Sequence, residues 1–147
     1  MWFGTNGDGV SFTNYTKVDG LVDSDVWSLV IDSKGTIWIG TLQGVSRFDG
    51  ETFTHVTSED GVNGIECWSL YLDSSGDVWF PVEGFGVYRF DGESFSNFSE
   101  QAGLASNAIQ CIYEDSEGRL WCGGWKGLFR FEGESFVGVT AEGPWPQ

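Results

Sequence analysis

The sequence has few basic residues and a single histidine. It contains 7 Lys and Arg against 22 Asp and Glu, which gives 147 residues a formal net charge of −15. Nucleic acids and anionic membrane surfaces are bound through clusters of Lys and Arg, so the sequence predicts that this chain binds neither. Most acidic residues fall in turn segments, where they favour solubility and local hydrogen bonds. A face for a cation or a cationic ligand stays open as the alternative.

Long apolar runs and paired cysteines are also missing. No run approaches the ~18 residues of a membrane span, and the first residues lack the basic and apolar regions of a signal peptide. Cys67, Cys111 and Cys122 show no CxxC spacing, so we interpret them as small hydrophobic residues rather than a disulfide scaffold or a zinc site. The Asp-rich segments do not follow the calcium-loop pattern. The sequence therefore predicts no metal site and no cofactor.

Glycine and aromatic residues are abundant instead. The 22 Gly, 8 Trp and 12 Phe, with 40% hydrophobic residues overall, predict many tight turns around a substantial core and exclude a disordered chain. A repeat accounts for them, because the segment that begins at Trp27 returns at Trp68 and, more loosely, at Gln110. Each copy ends in a tight Asp-Ser-x-Gly turn.

Every repeat unit contains four short apolar runs. In the first complete unit they cover residues 27–31, 37–40, 44–50 and 52–57, and we name the corresponding runs a, b, c and d in every unit. They are rich in β-branched and aromatic residues, with Gly, Asp or Ser at every join. Four short antiparallel strands in about 40 residues are typical of one β-propeller blade. A β-solenoid, the competing architecture, has shorter repeats without paired hairpin turns.

The predicted fold class is all-β: one partial β-propeller domain over residues 1–147, with about three and a half four-stranded antiparallel blades. The complete blades are placed at about residues 26–60, 67–103 and 108–141. Run a is apolar on both faces, which predicts an inner strand buried on both sides. Residues 1–22 form a damaged unit, in which 2–5 match run b and 12–16 match run d, but run a is missing.

The segments Trp-Ile-Gly-Thr (38–41) and Gly-Val-Ser-Arg-Phe-Asp-Gly (44–50), which follow the Asp-Ser-Lys-Gly turn, resemble the two-component-regulator propeller repeat. The inter-blade segment 60–62, Asp-Gly-Val, resembles it as well, and this segment is echoed at 19–21 and 103–104. The resemblance extends over nearly the whole chain. It implies a sensor-type β-propeller from a bacterial membrane-bound regulator, placed in the periplasm or outside the cell, with seven blades in a ring.

The predicted blades are too few for a ring, which leaves two apolar blade faces open. Exposed apolar faces of that size are rare on soluble monomers, and a propeller repeat depends on its neighbours for burial. Two copies joined head to tail provide seven or eight blade positions, so we predict a homodimer that closes one ring. A fragment of a longer polypeptide and a four-bladed monomer are the alternatives.

The connections between the runs differ in how much they vary. The a–b and c–d turns barely change from unit to unit. The b–c and d–a loops differ in every unit and share the opposite end of the blades, which favours them as a binding surface. The candidate ligand-binding residues in these loops are Glu66, Glu83, Phe85, Trp125 and Lys126. The two aromatic side chains fit a wall for a carbohydrate, another small molecule or a cation; alternatively, Trp125 covers a blade interface.

Catalytic groups are scarce. His55 is the only histidine, it falls in an outer run d, and no Ser or Cys nucleophile pairs with it by spacing. No catalytic residue is therefore assigned; Glu66 and Glu83 are the two carboxylates that could serve as an acid–base pair.

The recurrence of one arginine in every blade and the small number of catalytic groups together favour a non-enzymatic protein. Arg47, Arg89 and Arg130 recur at one blade position, which indicates structural ion pairs with turn aspartates rather than a substrate clamp. The predicted function is a non-catalytic binding or assembly module that takes a ligand or partner on its loop face, as in sensor-type propellers. The alternative is a small propeller enzyme, a lyase or hydrolase acting on a carbohydrate or a cyclic ester.

Overall fold

The described residues form four antiparallel sheets, each built from consecutive strands. The structure, a computed structural model, describes residues 2–6 and 9–143, with side chains from residue 12 onward. A two-stranded sheet pairs β1 (Trp2–Asn6) with β2 (Gly9–Thr13), and three four-stranded sheets follow. The strands of these three sheets are β3 (Val26–Ile31), β4 (Ile37–Thr41), β5 (Gly44–Phe48), β6 (Phe53–Val56), β7 (Tyr71–Leu72), β8 (Val78–Val82), β9 (Gly86–Phe90), β10 (Phe95–Phe98), β11 (Ile109–Glu114), β12 (Leu120–Gly124), β13 (Gly127–Phe131) and β14 (Phe136–Gly138). This arrangement confirms the all-β fold class.

One aspartate organises each a–b turn. The Oδ1 of Asp32 accepts hydrogen bonds from the backbone N of Lys34 and of Thr36, at 2.9 and 3.0 Å, and its Oδ2 accepts one from Nε1 of Trp38 at 2.9 Å. The second and third units repeat the same three bonds. Asp suits this position because a single carboxylate closes the turn and satisfies the indole N–H of strand b.

An arginine from strand c covers the strand-b tryptophan in each blade. The guanidinium carbons lie 5.3, 5.6 and 5.9 Å from the ring centroids in the pairs Arg47–Trp38, Arg89–Trp79 and Arg130–Trp121. Arg89 also pairs with the turn carboxylate of Asp77 at 2.6 Å, and Arg130 pairs with Glu132. The predicted ion pair with a turn aspartate is confirmed for Arg89, whereas the partner of Arg130 is a glutamate of the c–d turn. Arg47 differs, because its buried Nε has no hydrogen-bond partner among the described residues.

The four-stranded sheets pack face to face in chain order. Each has a forward face toward the next sheet and a backward face toward the preceding one. Trp38, on the forward face of the first sheet, packs on Phe90 of the second, with ring centroids 5.1 Å apart. Trp79 of the second sheet packs on Phe131 of the third at the same distance. The core therefore lies mainly at two equivalent interfaces between blades, and a smaller cluster of Leu21, Ile39 and Phe48 lies on the backward face of the first sheet.

Hydrogen bonds join the run a segments of neighbouring blades. The Oγ of Ser28 accepts a hydrogen bond from the backbone N of Leu70 at 2.9 Å, and the Oγ of Ser69 donates one to the backbone O of Gln110 at 3.0 Å. The first strands thus lie closest to one another and mark the inner edge of the array.

A short 3₁₀ turn precedes each complete blade, at Lys17–Asp19, Ser58–Asp60 and Glu100–Ala102. These turns are the helical segments of the described residues, and none of them is long and apolar enough to cross a membrane. A glycine in the left-handed conformation ends each turn. The last of them, Gly103, has φ +97°, and a Cβ there would lie 2.0 Å from the backbone O of Phe136. Glycine is required at this position by backbone conformation and by contact.

Two expectations about strands are wrong. Run a of the first complete unit is not buried on both faces, since Leu29 is 53% exposed whereas its counterparts Leu70 and Ile112 are 7% and 8% exposed. The counterparts face a preceding four-stranded sheet, which Leu29 lacks. In the N-terminal unit, Phe12 and Thr13 do not begin a separate run d but complete β2. One strand there replaces runs c and d because the connecting turn is missing from the sequence.

Candidate ligand-binding face

The b–c and d–a connections lie at one end of the blades, which we call the loop face. It comprises residues 42–43, 83–85 and 125–126 between strands b and c, and residues 57–66 and 99–108 between blades. The backbone N of Glu83 donates to the backbone O of Glu66 at 3.0 Å, and that of Trp125 donates to Ala108 at 3.1 Å. These bonds tie each b–c loop to the segment that enters the same blade.

Three of the sequence-predicted residues come together on the second blade. Besides the bond between Glu66 and Glu83, the backbone O of Phe85 accepts a hydrogen bond from Nδ2 of Asn97 at 2.9 Å. The Phe85 ring lies over Gly64, where a Cβ would come within 2.6 Å of Cδ2 of the ring. The ring remains 43% exposed. The two glutamates are thus neighbours through the backbone, and an aromatic surface stands beside them.

Trp125 and Lys126 form a separate group on the third blade. Trp125 is 67% exposed, and Lys126 adopts a left-handed conformation with φ 74°, which is uncommon for a residue other than glycine. Among the described residues, no hydrogen bond, ion pair or ring contact links this pair to the group on the second blade. The two predicted groups share the loop face without forming one pocket.

A cleft of about 450 Å³ opens on the loop face between the first two blades. Its polar lining includes Gln43, His55 and Asn63, and Ile65 contributes an apolar wall. The sequence did not single out this cleft, because its residues come from the first b–c loop, the end of β6 and two inter-blade connections, and they break no repeat pattern.

His55 has a serine neighbour that spacing did not reveal. Its Nδ1 lies 3.0 Å from the Oγ of Ser46, and the backbone N of Val22 donates to the same Oγ at 3.0 Å. Ser46 and His55 are directly opposite each other in the pairing of β5 with β6, so the register of this hairpin could have predicted the contact. Ser46 is completely buried, and its hydroxyl fastens the segment leading into the first blade.

Two tryptophans at the inner edge are a further feature that sequence reasoning missed. Trp27 and Trp68 occupy equivalent positions at the start of run a, and their ring centroids are 5.1 Å apart at an interplanar angle of 66°. They are 54% and 36% exposed. The signal was present in the repeat itself, where a large aromatic residue stands twice at a position that is not part of the blade core.

The thiols and metal-binding side chains of the described residues form no reactive cluster. Burial raises the pKa of the Cys67 thiol to about 12 and also raises that of Cys122, whereas Cys111 is exposed. No group of three or more His, Cys, Asp or Glu in the described part of the chain could hold a metal ion.

Comparison with known protein families assigns the repeat. The model of the family described as two component regulator propeller matches residues 20–43 and 103–126. Both segments run from the end of a 3₁₀ turn through runs a and b to the b–c loop, so the two matches have the same register. Comparison with curated proteins gives no match.

Several solved structures resemble the chain. An extracellular domain assigned to a hybrid two component system of B. thetaiotaomicron is 23% identical with a TM-score of 0.81, over 96% of this chain and 20% of that chain. Another, from a one component system of that organism, is 20% identical with a TM-score of 0.69, over 83% and 19%. Virginiamycin B lyase from Staphylococcus aureus is 16% identical with a TM-score of 0.61, over 80% and 42%.

These likenesses establish the architecture. The chain spans about a fifth of the length of the two extracellular domains that it resembles. At these identities the comparison shows the fold alone, and it confirms the β-propeller interpretation of the repeat.

Proposed function

The chain carries repeats of the two-component-regulator propeller family, and on that premise we propose that it is a non-catalytic recognition module. In this proposal two copies close one propeller ring, and the ring binds a ligand or partner on its loop face. Two of the similar structures are extracellular domains of signalling systems. By analogy with them, which is a fold-level argument, the module works as the sensor portion of a receptor outside the cytoplasm.

One observation carries the assembly part of the proposal, namely the unequal burial of equivalent residues. Leu29 is more than half exposed, although Leu70 and Ile112 at the same blade position are almost fully buried. Val26 and Ile31 on the same strand are also exposed. This inner part of the first backward face is an apolar surface of the kind that marks an interaction site.

The other end of the array offers the complementary surface. Trp121 and Arg130 on the forward face of the third blade repeat the arrangement of Trp38 with Arg47, which packs against the second blade. Tyr113, Leu128 and Val137 on the same blade are exposed large hydrophobic residues. The first and third blades thus present the two halves of an interface that the chain already forms twice internally, and a second copy supplies the missing half at each end.

Light scattering on the purified chain tests ring closure. We expect twice the 16.2 kDa mass of one chain. Leu29→Asp and Tyr113→Asp each place a charge on one open face and should give the single-chain mass, because burying an unpaired carboxylate at an interface is strongly unfavourable.

The matched control is Val18→Asp, which introduces the same charge at a residue that is 96% exposed. Its counterparts Glu59 and Gln101 stay exposed even though both neighbouring blades are in place, so this variant should keep the mass of two chains. A monomeric wild-type chain would overturn ring closure.

The proposed ligand surface is the loop face with Glu66, Glu83, Phe85, Trp125 and Lys126. It is supported by the exposure of both aromatic rings and by the divergence of these loops among blades. A titration of the ¹⁵N-labelled chain with a panel of oligosaccharides and other small molecules tests it. Shifts confined to loop-face amides are expected, and shifts confined to the a–b and c–d turns would contradict the assignment.

A second candidate is a small propeller lyase, and the specific observation behind it is His55 in the loop-face cleft. The fold is shared with virginiamycin B lyase. Incubation with quinupristin, a ligand of that neighbour, followed by liquid chromatography and tandem mass spectrometry tests this candidate, because an elimination that opens a cyclic ester leaves the mass unchanged. Linearised product that disappears in His55→Ala would favour the lyase over the binding module.

A further inference from the structure

The tryptophan pair at the inner edge has a geometry that the blade core does not explain. Trp27 and Trp68 stand at the loop-face ends of the first strands of two neighbouring blades, with ring centroids 5.1 Å apart and planes inclined at 66°. Two rings at this angle meet edge to face and form an aromatic corner at the inner edge of the array. Neither residue belongs to the buried clusters between sheets.

The backbone around the pair departs from a regular strand. The pairing of β3 with β4 shifts register between Val26 and Ser28, which places Trp27 at the irregularity. In the second blade the first strand covers only Tyr71–Leu72, so Trp68 precedes it in irregular backbone. Bulges of this kind redirect a side chain and are over-represented next to functional sites. The irregularity turns both rings out of the sheet interfaces.

The exposure of the corner does not depend on the open ends of the array. Trp68 lies in the middle blade, between two complete neighbours, and is still 36% exposed. Ring closure over the first backward face would therefore leave the equivalent ring of Trp27 accessible at the axis.

The charged residues that lie close in sequence to the two tryptophans are all acidic. Asp23 and Asp25 precede Trp27, and Glu66 precedes Trp68, whereas no Lys or Arg occurs in residues 18–33 or 48–88. A net charge of −15 adds a negative field over the whole surface. Such a field raises the local concentration of cations, and the face of a tryptophan ring is the best aromatic partner for a cation.

We propose that Trp27 and Trp68 form a site for an organic ammonium cation at the mouth of the propeller axis. The inference rests on the proposed recognition function of the loop face and names a ligand class for it. A quaternary ammonium group fits the corner because it is large, weakly hydrated and without hydrogen-bond donors that the apolar rings would leave unsatisfied. Carboxylates near the two rings add attraction at longer range.

The test is a titration of the intact chain, labelled with 5-fluorotryptophan, by ¹⁹F NMR with choline chloride at constant ionic strength. The eight tryptophans give separate resonances, which Trp27→Phe and Trp68→Phe assign. Choline should shift the resonances of Trp27 and Trp68, and Trp27→Leu should weaken binding about two- to fivefold because it removes one ring face but keeps an apolar side chain. Trp27→Phe should weaken it less.

The control ligand is 3,3-dimethylbutan-1-ol, which has the shape of choline without the charge. Equal affinity for the alcohol and for choline would overturn the proposal in favour of a merely apolar site, and so would unmoved Trp27 and Trp68 resonances. Light scattering on the same samples separates the two hypotheses. A dimer without a choline response defeats the cation site alone, whereas a monomer with a choline response defeats ring closure alone.

Discussion

The three cysteines occupy environments that differ in solvent access. Cys67 and Cys122 are buried, and desolvation of the thiolate raises the pKa of both thiols, while Cys111 is exposed on the forward face of the third blade. Since the thiolate is the reactive form, we expect a thiol-specific reagent such as Ellman's reagent to modify one cysteine in the folded monomer and three after denaturation. Cys111→Ser should abolish the fast reaction, and a fast reaction that persists in this variant would contradict the burial of the other two thiols.

The lowered pKa values of three aspartates lead us to expect that the stability of the fold depends on pH. Backbone hydrogen bonds, from Thr52 and from Ser94 respectively, lower the pKa of Asp49 and of Asp91. The pKa of Asp115 is lowered as well. Desolvation is the largest single contribution and raises this pKa, but the hydrogen bonds from Trp121 and Arg119 together outweigh it. The stabilisation by these carboxylates is present above the unfolded-state pKa of 3.8 and is lost as the pH falls below it toward the folded-state values.

Urea unfolding across a pH series measures this effect. The free energy of unfolding should fall as the pH drops below about 4, and the fall should be shallower in Asp115→Asn, which removes one of the three titrating groups. A slope unchanged by this substitution would show that Asp115 titrates alike in the folded and unfolded chain.

At the scale of elements, two equivalent glycines allow the energetic cost of backbone conformation to be measured apart from the cost of a contact between segments. Gly61 and Gly103 both end a 3₁₀ turn with positive φ, but a Cβ meets nothing within 4 Å at Gly61 and would clash with the backbone O of Phe136 at Gly103. Gly61→Ala should cost about 1 kcal/mol, because alanine disfavours the left-handed conformation. Gly103→Ala should cost clearly more, since the connection to the third blade must also move. If chemical denaturation showed equal losses in the free energy of unfolding for the two variants, the close contact between Gly103 and the backbone O of Phe136 would make no energetic difference.

The elements also show what the sequence alone could predict. Runs b, c and d become strands because the hairpin turns and the Asp-Ser-x-Gly motif determine their joins locally. Run a was the weaker prediction, since its burial depends on a neighbouring blade that local residues do not encode. The Ser46–His55 contact and the Trp27–Trp68 corner required the register and the packing of whole blades, whereas Glu66, Glu83 and Phe85 were found because they depart from the repeat.

At the scale of the whole molecule, each blade contacts only its neighbours, so stability is distributed like that of other repeat arrays. The middle blade has a partner on both faces, and the first and third each have an open face. Hydrogen exchange should therefore be slowest in β8 and β9 and faster in β3 and β13 of the monomer.

Dimerisation should change this gradient. Amides of the first and third blades should gain protection as the protein concentration rises through the association range, while those of the middle blade stay constant. Val18→Asp serves as the control and should follow the wild-type concentration dependence. Protection that is independent of concentration in a protein that does dimerise would place the contact elsewhere than on the two open faces.

The repetition of one interface has a geometric consequence. Trp38 on Phe90 and Trp79 on Phe131 imply that each blade is turned from the last by a similar amount, so every copy of the chain contributes a fixed increment of rotation. If two such increments complete a full turn without any rise along the axis, the assembly ends there. A small residual pitch would make the same two faces add copies without limit, so a few degrees between neighbouring sheets decide whether this protein is a particle of fixed size or a growing filament.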